Sequence, residues 1–201
     1  MEKYIIAVDM DGTLLNSENK ISERNRNVLQ RLIDDGHYVV PATGRTRELI
    51  PREFSVLRGV KWGIVENGCV VWDYDKNEMI WRKTMPKGMV SKILKDVENS
   101  GAKGWIAEAY ANGIAYSDAD ARDYVASVVD KDLLEKTFVD YFLSRHEYVK
   151  DFYHQEDILD QAEKINIYFD DTETSRALRE KWKDLDLSLI HISEPTRHSL
   201  I

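Results

Sequence analysis

The sequence predicts an α/β fold built on a parallel sheet, and three observations carry that expectation. Short apolar runs recur at 4–9, 37–41 and 62–65, each too brief for a helix and rich in β-branched residues. A segment of helical spacing separates the first two runs, and a shorter one separates the second from the third. That strand–helix–strand–helix–strand order implies right-handed crossovers, which make neighbouring strands parallel.

Each element has local grounds. Residues 4–9 run without polar alternation, which predicts a fully buried strand. Ser22 is placed to cap a helix in which Val28, Leu29, Leu32 and Ile33 share one face, and Gly36 is placed to end it. Residues 37–41 predict the second strand, followed by a turn at 42–45 and a short helix disturbed near Pro51. Residues 62–65 predict the third strand, ending at Glu66-Asn67-Gly68. Beyond it, residues 69–73 and 79–82 predict two strands joined through Asp75-Lys76-Asn77, and residues 86–100 have helical spacing. Residues 105–110 and 114–117 flank Asn112-Gly113, a strong hairpin signal. Residues 119–147 read as mostly helical, 164–169 as a strand, and 172–183 as a helix capped at Asp170 or Asp171. Residues 1–84 are thus the start of an α/β core, and residues 85–186 a second α+β module.

Composition narrows the function classes. A net charge of −8 argues against a general nucleic-acid binder, which carries a basic stripe. No apolar run is long enough to cross a bilayer, and the first residues lack the pattern of a signal peptide. One cysteine, Cys69, leaves no internal disulfide framework. The five histidines show no metal-ligand spacing. The expectation is a cytoplasmic, reduced protein with no nucleic-acid or membrane partner.

The first apolar run ends on two acids, in Asp9-Met10-Asp11-Gly12-Thr13. Side chains two apart on extended backbone point the same way, so both carboxylates can face one pocket with alpha carbons roughly 7 Å apart. In open parallel sheets, ligands bind outside the carboxyl ends of the strands, where Asp9 sits. Gly12 lets the chain turn away, and Thr13 adds a hydroxyl. Two adjacent anions call for a counter-cation, and an all-oxygen donor set favours Mg²⁺. A calcium-binding loop is a poor match. It needs glycine sixth and glutamate twelfth, whereas here glycine is fourth and Lys20 twelfth. An ordinary acidic turn explains a lone Asp-Gly, but not the whole string after an apolar strand.

Asp9-Met10-Asp11-Gly12-Thr13-Leu14-Leu15 resembles the first motif of the haloacid dehalogenase-like hydrolases. Pro41-Ala42-Thr43-Gly44-Arg45 is similar to the second motif of their Cof-type sugar-phosphate phosphatases, and Asn67-Gly68 is typical of the same subfamily. The resemblance covers nearly all of residues 1–186. It implies a Rossmann-like core, incomplete in this chain, with an α/β cap inserted after the second motif, here residues 85–186. It further implies a Mg²⁺-dependent phosphatase of small-molecule phosphate esters, in which Asp9 is the nucleophile and Asp11 the acid and base. Asp9 and the backbone carbonyl of Asp11 hold the metal. The Thr43 hydroxyl and the Gly44 N–H hold phosphate oxygens. Arg45 touches phosphate or substrate, or is a solvated helix residue. Asn67 bonds near the acids or caps a turn. Trp105, Tyr110 and Tyr116 of the cap touch substrate or pack.

The family also uses a lysine and a Gly-Asp loop after the cap. Lys164 and the pair Asp170-Asp171 are the nearest substitutes, but Lys164 lies too close to them and no glycine precedes Asp170. The eleven residues 187–197, LSLIHISEPTR, do not suit a core strand and resemble the in-frame translation of a transposon-end sequencing adapter. Residues 187–201 are therefore expected to be non-native, the chain to be a truncated copy, and its stability and activity to be low. Two alternatives stand beside the phosphatase: a phosphomutase sharing the first motif, and a non-catalytic module that binds phosphorylated metabolites.

Overall fold

The computed structural model describes residues 2–51, 54, 56–102, 104–128, 136–185 and 190–193. The chain divides into two compact units, Met1–Lys83 and Thr84–Ile201.

In the first unit, β1 (Ile5–Val8) and β2 (Tyr38–Pro41) pair in parallel, with Ile5 opposite Tyr38 and Val8 opposite Pro41. Helix α1 (Glu23–Asp34) makes the crossover. Its N-cap is Ser22, whose hydroxyl accepts the Asn25 N–H at 3.2 Å. It ends at Gly36 in the left-handed region (φ 89°), where the Gly36 and His37 N–H groups donate to the Ile33 and Leu32 carbonyls. Leu29 enters the core and Leu32 and Ile33 pack against it, but Val28 is exposed. The apolar stripe centres on Leu29 and Ile33, which leaves Val28 beyond its rim. A parallel bridge between Ala42 and Ile64 brings β3 (Trp62–Val65) alongside the end of β2. Strands β4 (Val70–Asp73) and β5 (Glu78–Arg82) then continue β3 as an antiparallel meander. Met10, Leu29, Val39, Phe54 and Val65 belong to the core of this unit.

The expectation that residues 4–9 are buried is not met. Ile5 is 71% exposed, Ala7 is exposed, and Ile6 and Val8 are half-buried. The reason is topological. Among the described residues β1 pairs only with β2, so its other edge and one face are open.

In the second unit, β6 (Trp105–Ala111) and β7 (Ile114–Asp118) form the expected hairpin. Asn112 and Gly113 both take positive φ (56° and 80°), as a two-residue turn of this kind requires. The five-stranded sheet runs β10–β9–β6–β7–β8, with β8 at His146–Val149, β9 at Ala162–Phe169 and β10 at Ile190–Ser193. Helices α2 (Met89–Glu98), α3 (Ala119–Val128), α4 (Lys136–Arg145), α5 (Glu156–Leu159) and α6 (Thr172–Lys181) complete the unit. Asp171 caps α6 by accepting the Thr174 N–H at 2.6 Å. The mostly helical reading of 119–147 is corrected at its end, where residues 146–147 open β8. Part of that segment, 129–135, lies outside the described residues. The tail also departs from expectation: residues 190–193 pair in parallel with residues 165–168 of β9. Such pairing is carried by backbone groups on a strand edge and asks little of the sequence.

One buried polar cluster sits on this sheet. Glu108 of β6 is fully buried and accepts from Tyr168 (2.7 Å), Tyr110 (2.9 Å) and the Asn166 amide. The His146 ring contacts it through Nε2, while Nδ1 lies 2.9 Å from the Phe142 carbonyl. Burial alone would push the Glu108 carboxyl up. The His146 imidazole, with the Tyr168 and Asn166 donors, outweighs burial and holds it down at about 2. Lys164 lies 4.8 Å above the Tyr110 ring, and Trp105 packs 4.7 Å from Tyr153. No described helix is long and apolar enough to cross a membrane.

Candidate active site

The carboxyl ends of β1, β2 and β3 lie side by side, because the Ala42 N–H donates to the Val8 carbonyl (2.9 Å) and the Thr43 N–H to the Ile64 carbonyl (3.0 Å). Asp9 follows β1 on extended backbone. Met10 is completely buried, Asp9 exposed and Asp11 half-buried. The alternation that aims two acids away from one core residue is therefore present. Gly12, at φ 72°, then turns the chain, and the Leu15 N–H closes the loop on the Met10 carbonyl at 2.9 Å. The Thr13 hydroxyl donates to Oδ2 of Asp9 at 2.7 Å.

Arg45 supplies the main electrostatic feature. Its Nε and Nη2 donate to Oδ2 and Oδ1 of Asp11 at 3.0 and 2.6 Å, a two-pronged ion pair. Its Nη1 donates to the Leu49 carbonyl at 3.0 Å, which holds the guanidinium from behind. The Arg45 N–H donates to the Thr43 hydroxyl at 3.2 Å, and Thr43 itself is buried. The Glu66 N–H donates to the Arg45 carbonyl (2.9 Å) and the Asn67 N–H to the Thr43 carbonyl (3.2 Å). Glu66, Asn67 and Gly68 all take positive φ, at 53°, 57° and 89°. For Glu66 that is a sparsely populated conformation.

Asp9, Asp11, Thr43, Gly44, Arg45 and Asn67 thus fall on the loops after three adjacent strands. The Arg45–Asp11 pair was not read from the sequence, since nothing local links residues 34 apart. Buried Glu66 was likewise read only as the end of a strand. Among the described residues no group of three His, Cys, Asp or Glu side chains is placed to hold a metal. The two acids still suit Mg²⁺, which binds through one or two carboxylates and completes its shell with water and phosphate oxygens.

The family model for haloacid dehalogenase-like hydrolases matches residues 6–200. This chain belongs to that family. Among its curated relatives, phosphatase YwpJ of Bacillus subtilis is 30% identical over 127 residues, which span 63% of this chain and 43% of YwpJ. A second Bacillus subtilis relative, 5-amino-6-(5-phospho-D-ribitylamino)uracil phosphatase YcsE, is 41% identical over 81 residues, 40% of this chain and 32% of YcsE. The matches thus span less than half the length of these relatives. Among solved structures, a haloacid dehalogenase-like hydrolase from B. subtilis superposes with a TM-score of 0.68 at 24% identity, covering 90% of this chain and 67% of that one. The subclass IIB sugar phosphatase BT4131 superposes with a TM-score of 0.64 at 16% identity, covering 89% and 63%. The fold is that of a haloacid dehalogenase-like α/β hydrolase.

Proposed function

We propose that this protein is a Mg²⁺-dependent phosphatase of small phosphorylated metabolites, sugar phosphates among them, working in the cytoplasm through an aspartyl-phosphate on Asp9. The observation that carries this reading is the pair Asp9 and Asp11 flanking buried Met10 at the carboxyl end of β1, in a member of a hydrolase family.

Asp9 attacks phosphorus through one carboxylate oxygen and displaces the ester oxygen, so a new O–P bond forms as the ester O–P bond breaks. Thr13 fixes the rotation of Asp9 by donating to Oδ2, which leaves Oδ1 for attack. Asp11 gives its proton to the departing oxygen, then takes one from the water that hydrolyses the aspartyl-phosphate. The Thr43 hydroxyl accepts from the Arg45 N–H, so its own proton is available to a phosphate oxygen, with the Gly44 backbone beside it. Asp9 and the Asp11 backbone carbonyl hold Mg²⁺. When bound, the ion offsets the repulsion between an anionic nucleophile and an anionic phosphate. Asn67 closes the same rim from β3.

No lysine or Gly-Asp loop of the kind the family uses is assigned in this chain, so its own turnover is expected to be low. The test is a phosphate-release assay over a panel of sugar phosphates, with and without Mg²⁺. It uses the 201-residue chain and a fusion carrying the corresponding C-terminal part of phosphatase YwpJ in place of residues 187–201. The expected result is Mg²⁺-dependent release by the fusion, abolished by Asp9→Asn, and near-background release by the chain alone. Isomerised sugar phosphate without released phosphate would point to a mutase. Tight ester binding without either product would point to a binding module.

A further inference from the structure

The second unit holds a cavity of about 410 Å³, a size that suits small-molecule ligands. It lies where the start of β6, the end of β7, the first turns of α3 and the segment after β8 come together. Its wall combines two kinds of side chain. Asp118, Asp120 and Asp151 bring three carboxylates, and Trp105, Tyr124 and Tyr153 bring three rings. Among the described residues no lysine or arginine lines it, and the only lining base is His154, which is exposed. Asp118 is buried, and its Oδ1 and Oδ2 accept the Asp120 and Phe152 N–H groups, each at 2.9 Å, so this carboxylate is fixed in the wall. A fourth carboxylate stands beside the lining residue Gly104. A Cβ on Gly104 would lie 2.1 Å from Oδ2 of Asp170, so the missing side chain is what admits that acid. Tyr153 registers the resulting field: burial first, and then the Asp118 charge, push its phenol up.

A cavity lined by one sign of charge focuses its field and draws in the opposite sign. Aromatic faces carry negative potential too, and they hold cations whose charge is spread over alkyl groups. The acids do not converge on a bare ion. Among the described residues no group of three His, Cys, Asp or Glu side chains is placed to hold a metal. Distributed around a cavity of this size, beside three rings, they fit a cation that has a body. We propose that the cavity is a binding site for a small organic ammonium ion, its alkylated nitrogen against Trp105, Tyr124 and Tyr153 and its charge balanced by Asp118, Asp120 and Asp151. The inference is independent of the phosphatase reading. It gives the second unit a ligand opposite in charge to a phosphate ester.

The experiment is an NMR titration of the full 201-residue chain with choline, following the indole N–H signal of Trp105. Two parallel titrations use Mg²⁺ alone and the neutral alcohol in which carbon replaces the choline nitrogen. Choline should move the Trp105 signal to saturation, and the other two should leave it in place. The double variant Asp120→Asn, Asp151→Asn should bind choline about fivefold or more weakly, since each exposed carboxylate contributes modestly. Both acids are exposed, and asparagine accepts the positive φ of Asp151 (53°), so this variant keeps the fold. Equal movement with the neutral alcohol would make the cavity a merely apolar pocket and overturn the proposal. Movement with Mg²⁺ and none with choline would give the acids to a metal and overturn it as well. A Trp105 signal that choline never moves, or unchanged affinity in the double variant, would have the same effect.

Discussion

Glu108 shows how one side chain sets the acid limit of the second unit. Its carboxyl is held at about 2 in the fold, against an ordinary value of 4.5. Between those values the unfolded chain binds the proton and the folded chain does not. The stability from this group is therefore complete above about pH 4.5 and drains away as pH falls toward 2. Glu108→Gln leaves the His146 ring and the Tyr168 hydroxyl facing a neutral amide. It should cost about 3–5 kcal/mol at neutral pH, the usual cost of breaking a buried pair. It should also flatten the loss of Tm on acidification, read by thermal melts across that interval. Nothing in the sequence announced this cluster. Glu108, His146 and Asn166 meet only because β6, β8 and β9 share a sheet. The acids of the first motif were legible for the opposite reason. They are adjacent in the chain, and the apolar run before them fixes where they emerge.

At the scale of elements, legibility followed locality. Helix α1 was readable from Ser22 to Gly36 because its start and stop signals are side-chain and glycine effects within one turn. The β6–β7 hairpin was readable because Asn-Gly tolerates positive φ. The end of α6 nearest Asp171 belongs to the same class, and Asp171→Ala should weaken that helix by about 1 kcal/mol, detectable as a lower melting temperature with the fold retained. Strand β8 escaped because it follows α4 directly, and no glycine or proline marks the step from Arg145 to His146. The burial of β1 was misread for a different reason. An apolar run shows that a strand can be covered, whereas the covering neighbours are set elsewhere in the chain.

For the whole molecule, the edge of β1 that no described strand pairs matters more than any single contact. An unpaired strand edge carrying Ile5 at 71% exposure and Tyr4 at 53% is a template for pairing with another chain. Self-association should therefore grow with concentration despite the net charge of −8. Ile5→Lys should suppress it, seen by light scattering, without altering the far-ultraviolet circular dichroism spectrum. Met10 carries a different consequence. It is a core residue with no exposed surface, wedged between the two acids proposed to do the chemistry. Packing and reactivity share one peptide there. Oxidation of that thioether, or a smaller side chain in its place, would rotate both carboxylates at once. In an activity screen, such an internal lesion would masquerade as the loss of a reactive group.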